Sequence, residues 1–201
     1  MTGSVHPLRV FANAGAKPGD RLILTKALGT GTISTALKKQ GIPNAWIQGA
    51  LRSMTTLNKV PIEVIQAGHF SVHAITDITG FGLVGHAREL AAASKVQLRV
   101  YLPDIPVLDG ALECIERGCV PGGTRNNRDF AEKDIEYVSD VPENFKALLF
   151  DPQTAGGLLI SVADEDGKRL LQQLQNRGVD ASEIGDVVSQ DQDVTARILI
   201  I

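Results

Sequence analysis

The segment His73-Ala-Ile-Thr-Asp-Ile-Thr-Gly-Phe-Gly-Leu-Val-Gly-His-Ala-Arg-Glu89 constrains this chain more than any other. Apolar residues lead to one carboxylate, Asp77, flanked by the hydroxyls of Thr76 and Thr79 and followed by Gly80 and Gly82. Behind the glycines, Leu83, Val84, Ala87, Leu90 and Ala91 recur at helical spacing. The pattern is strand, glycine turn, helix, with an acid at the strand's carboxyl end. Such a turn exposes backbone N–H groups beside a helix N-terminus, where phosphate oxygens are favoured. A carboxylate there suits a hard cation shared with phosphate, Mg²⁺ above all. Spacing alone leaves a second reading open, in which Asp77 caps the helix and the glycines serve only turn geometry.

The rest of the chain mixes elements without strict βαβα alternation, which favours an α+β fold. Residues 20–26 read as a strand after Pro18-Gly19. Helices are expected over Thr32–Gln40 and Ala45–Leu57, with a third starting at Pro61. Residues 71–76 form the strand feeding Asp77, and Val96–Leu102 alternates as another before Pro103. A helix is expected over Leu108–Arg117. Residues 121–135 concentrate Gly, Asn and Arg without periodicity and read as a long ordered loop. Leu158–Ala163 is an apolar strand; Asp164 caps a helix that turns Leu170, Leu171 and Leu174 inward and stops at Gly178. Ser182–Val188 and Val194–Ile201 read as two closing strands joined at Gln190–Gln192 as a hairpin.

At 201 residues and 43% hydrophobic, the chain can bury a substantial core. A net charge of −3 gives no basic footprint for nucleic acid. Neither a membrane-length apolar run nor a signal-peptide pattern occurs, so a soluble cytoplasmic protein is the default expectation. Cys114 and Cys119 have no metal-ligand spacing and read as buried thiols. The four histidines, His6, His69, His73 and His86, form no zinc motif and read as structural or surface residues. Lys26 reads as solvated or as reaching a phosphate, Asp151 as a turn cap. The Gly122-Gly123-Thr124-Arg125 stretch reads either as an anion-binding loop or as one held by its glycines.

The Thr76–Glu89 segment resembles the central signature of selenophosphate synthetases (selenide, water dikinases) in the aminoimidazole-ribonucleotide synthetase-related superfamily. Asp20–Gly31, Val120–Arg125 and Asp151–Leu158 are similar to further blocks of that family, in its order. One departure is Ala155, where the family more often has Ser. The resemblance implies a mixed or antiparallel sheet covered by helices on one side, as in the family's carboxyl-terminal domain. It divides the chain into residues 1–17, a linker and the end of an amino-terminal domain, and residues 18–201, the synthetase-like domain. The family's reactive Cys or selenocysteine, its Lys and most nucleotide- and metal-binding acids belong to that other domain, so no catalytic residue is expected here.

The implied activity converts selenide, ATP and water to selenophosphate, AMP and phosphate, feeding selenocysteine biosynthesis. Asp77 is expected to hold Mg²⁺ on the ATP phosphates at the interface with the amino-terminal domain. Beside it, Thr76, Thr79, Gly80 and Gly82 read either as a loop that positions phosphate oxygens or, for the glycines, as serving turn geometry alone. The family's pairing surface lies in the other domain, which allows a homodimer of the whole enzyme. Two other readings stay open: half of another ATP-using enzyme of the superfamily, or a non-catalytic binding module.

Overall fold

In the computed structural model, which describes residues 6, 10–39, 41–190 and 197–201, seven strands make one mixed sheet. They are β1 (Arg21–Leu24), β2 (Val72–Asp77), β3 (Val96–Val100), β4 (Ile135–Tyr137), β5 (Leu158–Val162), β6 (Ser182–Ser189) and β7 (Ile198–Ile200). Their order is β2-β5-β1-β6-β3-β7-β4. Neighbours are antiparallel from β2 to β3, and β7 lies parallel to both β3 and β4. The helices are α1 (Thr30–Lys39), α2 (Asn44–Thr55), α3 (Lys59–Gly68), α4 (Gly82–Ser94), α5 (Ala111–Glu116), α6 (Gly122–Ala131), α7 (Glu143–Leu149) and α8 (Asp164–Asn176). The α+β class is as expected.

Helices cover both faces of the sheet rather than one. Strand alternation sends Leu22 and Leu24 to one face and Ile23 to the other. The first pair packs with Leu98, Leu83, Leu90, Leu148 and Phe150. Ile23 packs instead with Ile160, Val64, Ile65, Leu170 and Leu174, so α3 and α8 lie opposite α4 and α7. The reason is legible in β1 and β5, where Leu22–Leu24 and Leu158–Ile160 are apolar at consecutive positions instead of alternating, as in strands buried on both sides. Each fully buried Leu or Ile there stabilises the fold by about 1.5–3 kcal/mol.

Three further sequence expectations are corrected. Asp164 is the first residue of α8 and does not cap it, its carboxylate pairing instead with Arg21. Residues 122–131 are helix α6, not loop, followed by a 3-10 turn at Glu132–Asp134. Its inward face is Thr124, Asn127 and Ala131, spaced three and four apart but mostly polar, so no apolar period marks it. The two closing strands do not form a hairpin: β3 lies between β6 and β7. The β7 register sets Ile198 against Leu98 and Ile200 against Val100, so its apolar positions join the buried side of β3. The connecting residues 191–196, which include much of the expected turn, lie outside the described residues.

Strand β4 and helix α7 had no sequence signal. The expected first-helix residue Gln40 lies outside the described residues.

The segment before β1 is tied to this body. The Ala12 carbonyl accepts from Ile75 N–H at 2.8 Å, and the Ser94 hydroxyl accepts from the N–H groups of Gly15 and Ala16. Among the described residues, no helix is long and apolar enough to cross a membrane.

Candidate functional site

Asp77 closes β2 opposite Leu158, and the next residue continues the contact through Ile78 N–H to the Gly157 carbonyl at 2.8 Å. Its side chain is exposed, and its carboxylate has neither a hydrogen bond nor an ion pair among the described residues. The capping alternative fails on geometry. The residue at the cap position of α4 is Phe81, and no side chain caps that helix. An uncompensated carboxylate at a sheet end is available to something outside the chain.

The turn behind it is held from below. The Thr79 carbonyl accepts from Gly82 N–H at 3.1 Å and from Gln153 N–H at 2.9 Å. The Asn127 amide of α6 donates to the carbonyls of Gly80 and Phe150, each at 2.9 Å, which is why that polar helix face is buried. Gly82 has φ +72°, and a Cβ there would stand 2.8 Å from the Phe150 carbonyl carbon, so the turn requires glycine. Gly80 differs: a Cβ there would meet nothing within 4 Å. The backbone N–H groups of Gly80 and Phe81, both exposed, find no acceptor among the described residues.

Thr79 and His86 are paired, with Thr79 Oγ1 3.0 Å from His86 Nε2. His86 Nδ1 lies 3.4 Å from the Glu89 carboxylate one helical step away. With the ring proton on Nδ1 facing Glu89, Nε2 accepts the Thr79 hydroxyl proton. Thr76 is less engaged; its hydroxyl lies 3.4 Å from the Asp77 carbonyl. Phe81 and Phe130 stack beside the turn at 6.3 Å, both about half exposed.

The remaining sequence blocks are structural partners of one another. Buried Asp151 caps α1 from a distant part of the chain, accepting from Gly31 N–H at 3.1 Å and from the Thr32 hydroxyl at 2.9 Å. Gln153 Oε1 accepts from the N–H groups of Gly29 and Thr30 and from the Thr30 hydroxyl. Acceptors at a helix N-terminus satisfy donors that the helix itself cannot. Burial pushes the Asp151 carboxyl up to about 6, against the opposing pull of the Thr32, Gln153 and Gly31 donors.

Lys26 is neither solvated nor free for phosphate. Its Nζ donates to the carbonyls of Ser53, Thr56 and Ala155 at 3.0, 2.6 and 2.8 Å, closing the carboxyl end of α2. Burial lowers its pKa. The sequence offered no signal for this, because the three acceptors are backbone.

The stretch Gly122–Arg125 opens α6 as its first turn, with Thr124 buried and Arg125 exposed. His73 Nδ1 is 2.8 Å from the Asp20 carboxylate, which also accepts from the Ser161 hydroxyl. His69 sits in the left-handed region at the end of α3. Cys114 and Cys119 are buried against Ala36 and Trp46, and burial pushes the Cys114 thiol up. Among the described residues, no three His, Cys, Asp or Glu side chains group closely enough to hold a metal ion. Asp77 belongs to no such group, and Thr79 follows it two residues later in the same turn.

Residues 17–197 match the family model described as AIR synthase related protein, C-terminal domain. Selenide, water dikinase of Pelobacter propionicus is 42% identical over 191 residues, covering 94% of this chain and 54% of that protein. The enzyme of Myxococcus xanthus is 43% identical over 187 residues, covering 93% and 53%. The chain thus spans about half the length of the curated relatives it matches.

Among solved structures, hydrogenase maturation protein HypE aligns with a TM-score of 0.64 at 20% identity, covering 98% of this chain and 53% of that one. Thiamine monophosphate kinase from Aquifex aeolicus aligns at 0.58 and 17%, covering 94% and 52%. These two show a shared fold. HypE has also been solved in complex with ATP, where the TM-score is 0.61. With the family model matching nearly the whole length, this chain belongs to the AIR synthase related family as a representative of its C-terminal domain.

Proposed function

We propose that this chain is the carboxyl-terminal half of a selenide, water dikinase, an enzyme that makes selenophosphate, AMP and phosphate from selenide, ATP and water. The relatives that carry that name support the reading. The single observation that carries the site is the exposed Asp77 carboxylate, unpaired among the described residues and followed in the same turn by the Gly80 and Phe81 N–H groups, which also find no acceptor there. Asp77 fits a partial ligand set for Mg²⁺, with the Thr79 hydroxyl a further oxygen in the same turn. Mg²⁺ prefers octahedral oxygen coordination and is commonly shared between one or two carboxylates, waters and phosphates. When bound, the ion neutralises phosphate charge, which is the main demand of phosphoryl transfer.

This chain's own residues then do three things. Asp77 supplies negative charge at the end of β2. The Gly80–Phe81 amides offer donors to phosphate oxygens, and His86 with Glu89 fixes the Thr79 hydroxyl. The nucleophile and the remaining acids come from an amino-terminal domain, so the 201 residues alone are expected to show no turnover. The test joins that domain and measures AMP release. Release that depends on added selenide supports the dikinase reading. Release that depends instead on an aminoimidazole-type substrate would assign another activity of the superfamily. No ATP turnover with either would leave a binding module.

A further inference from the structure

A cleft of about 490 Å³ opens beside β1, walled by α2, the start of α3 and residues 107–109 and 177–180. That volume lies in the range of small-molecule sites. None of its lining residues belongs to the Asp77 turn.

Its charge is positive on balance: Lys26, Arg52 and Arg177 line it against Asp109 and Asp180. Among the described residues Lys26 is bound only to carbonyl oxygens, and no carboxylate there pairs with it. Arg177 reaches Glu63 only at 3.7 Å. The Arg52 guanidinium has no hydrogen bond or ion pair among the described residues. A free planar fork of N–H donors is matched by phosphate or carboxylate oxygens.

The same wall carries an aromatic surface. Trp46 lines the cleft and packs on Gly110, where a Cβ would stand 2.0 Å from the indole. That contact fixes the ring in place. Two lining residues, Ser53 and Asn58, each bear a buried oxygen without a hydrogen-bond partner among the described residues. Such atoms mark a wall unlike a finished core surface, since buried polar groups are otherwise paired.

We propose that this cleft binds a small organic phosphate of mononucleotide size, its phosphate on the Arg52 fork and its flat ring along Trp46. Trp46 is the sole tryptophan of the chain, so its fluorescence reports occupancy directly. The probe is adenosine monophosphate, titrated into the 201-residue protein with excitation outside the nucleotide's absorption. A saturable change is expected, weakened at least about tenfold by Arg52→Ala and by replacing the nucleotide with adenosine, the loss expected for one charge-assisted contact.

Arg52 is exposed and unpaired among the described residues, so its removal leaves the fold intact; an unchanged melting temperature checks this. Asp77→Ala should leave the response as it is. No saturable change up to about 10 mM overturns the proposal, that being weaker than ordinary small-ligand binding. So does a response that Arg52→Ala or the loss of the phosphate leaves intact. A response abolished by Asp77→Ala but kept by Arg52→Ala would move the ligand to the Asp77 turn, overturning the cleft while sparing the dikinase reading.

Discussion

The Asp151 carboxylate accepts a hydrogen bond from Gly31 N–H across 120 residues of chain, at 3.1 Å. The approach is close enough that a Cβ on Gly31 would stand 2.3 Å from the Pro152 carbonyl oxygen and 2.7 Å from Asp151 Oδ1. Two of the sequence blocks, Asp20–Gly31 and Asp151–Leu158, therefore work as one structural joint. The joint also steadies the Asp77 turn, since Gln153 N–H donates to the Thr79 carbonyl.

That buried acid makes stability depend on pH. Burial raises the Asp151 carboxyl from an ordinary 3.8 to about 6, so the folded protein binds this proton more tightly than the unfolded chain. The contribution is fully present below pH 4 and is lost as pH rises through about 6. Stability of the wild type relative to Asp151→Asn should fall across that window by on the order of 1–3 kcal/mol. Denaturant unfolding of both proteins from pH 4 to 7 measures the difference. A flat difference would mean that the carboxyl is not held in a desolvated setting.

Lys26→Met should destabilise the fold by about 2–4 kcal/mol, because three backbone carbonyls lose their donor in a buried place. Thermal unfolding reads this as a fall of several degrees for a chain of this length. Lys26→Arg should rescue little of it, since a planar fork does not reproduce the three directions that one ammonium serves. A melting temperature unchanged in Lys26→Met would contradict the capping role at α2.

The two turn glycines should separate structure from ligand contact. Gly82→Ala combines φ +72° with a backbone clash at Phe150 and should cost about 2–4 kcal/mol. Gly80→Ala meets open space and should change stability by less than about 0.5 kcal/mol. If phosphate oxygens approach the Gly80 amide in the whole enzyme, the same Gly80 variant raises the Michaelis constant for ATP while the melting temperature stays put. An unchanged Michaelis constant would remove Gly80 from the phosphate side.

Much of this was legible from residue pattern. The strand, glycine turn and helix around Asp77 follow directly from an apolar run, two glycines and a helical stripe. Strands β1 and β5 announced burial on both faces through consecutive apolar residues, Leu22–Leu24 and Leu158–Ile160, though helices on one face alone were expected. Helix α6 stayed hidden because its buried face binds through Asn127 and not through apolar bulk. The β7 position was hidden for another reason: Ile198 and Ile200 suit β3 as well as β6, and only the assembled sheet decides which strand takes them. Lys26 carries a charge that sequence habit places in solvent or at a ligand, and Asp151 reads as the cap of its own turn, not of a helix 120 residues away. Their partners are backbone groups or lie far along the chain, so no local pattern could reveal them.

The most direct measurement replaces Asp77 by Ala in the proposed dikinase, this chain joined to an amino-terminal domain, and follows Mg²⁺-dependent ATP turnover alongside thermal unfolding. Because Asp77 is exposed and unpaired among the described residues, the melting temperature should not move. Turnover should drop by about a hundredfold or more, the scale on which a lost charge-stabilising group is felt in phosphoryl transfer. Turnover near the wild-type rate in a protein of unchanged stability would contradict the account.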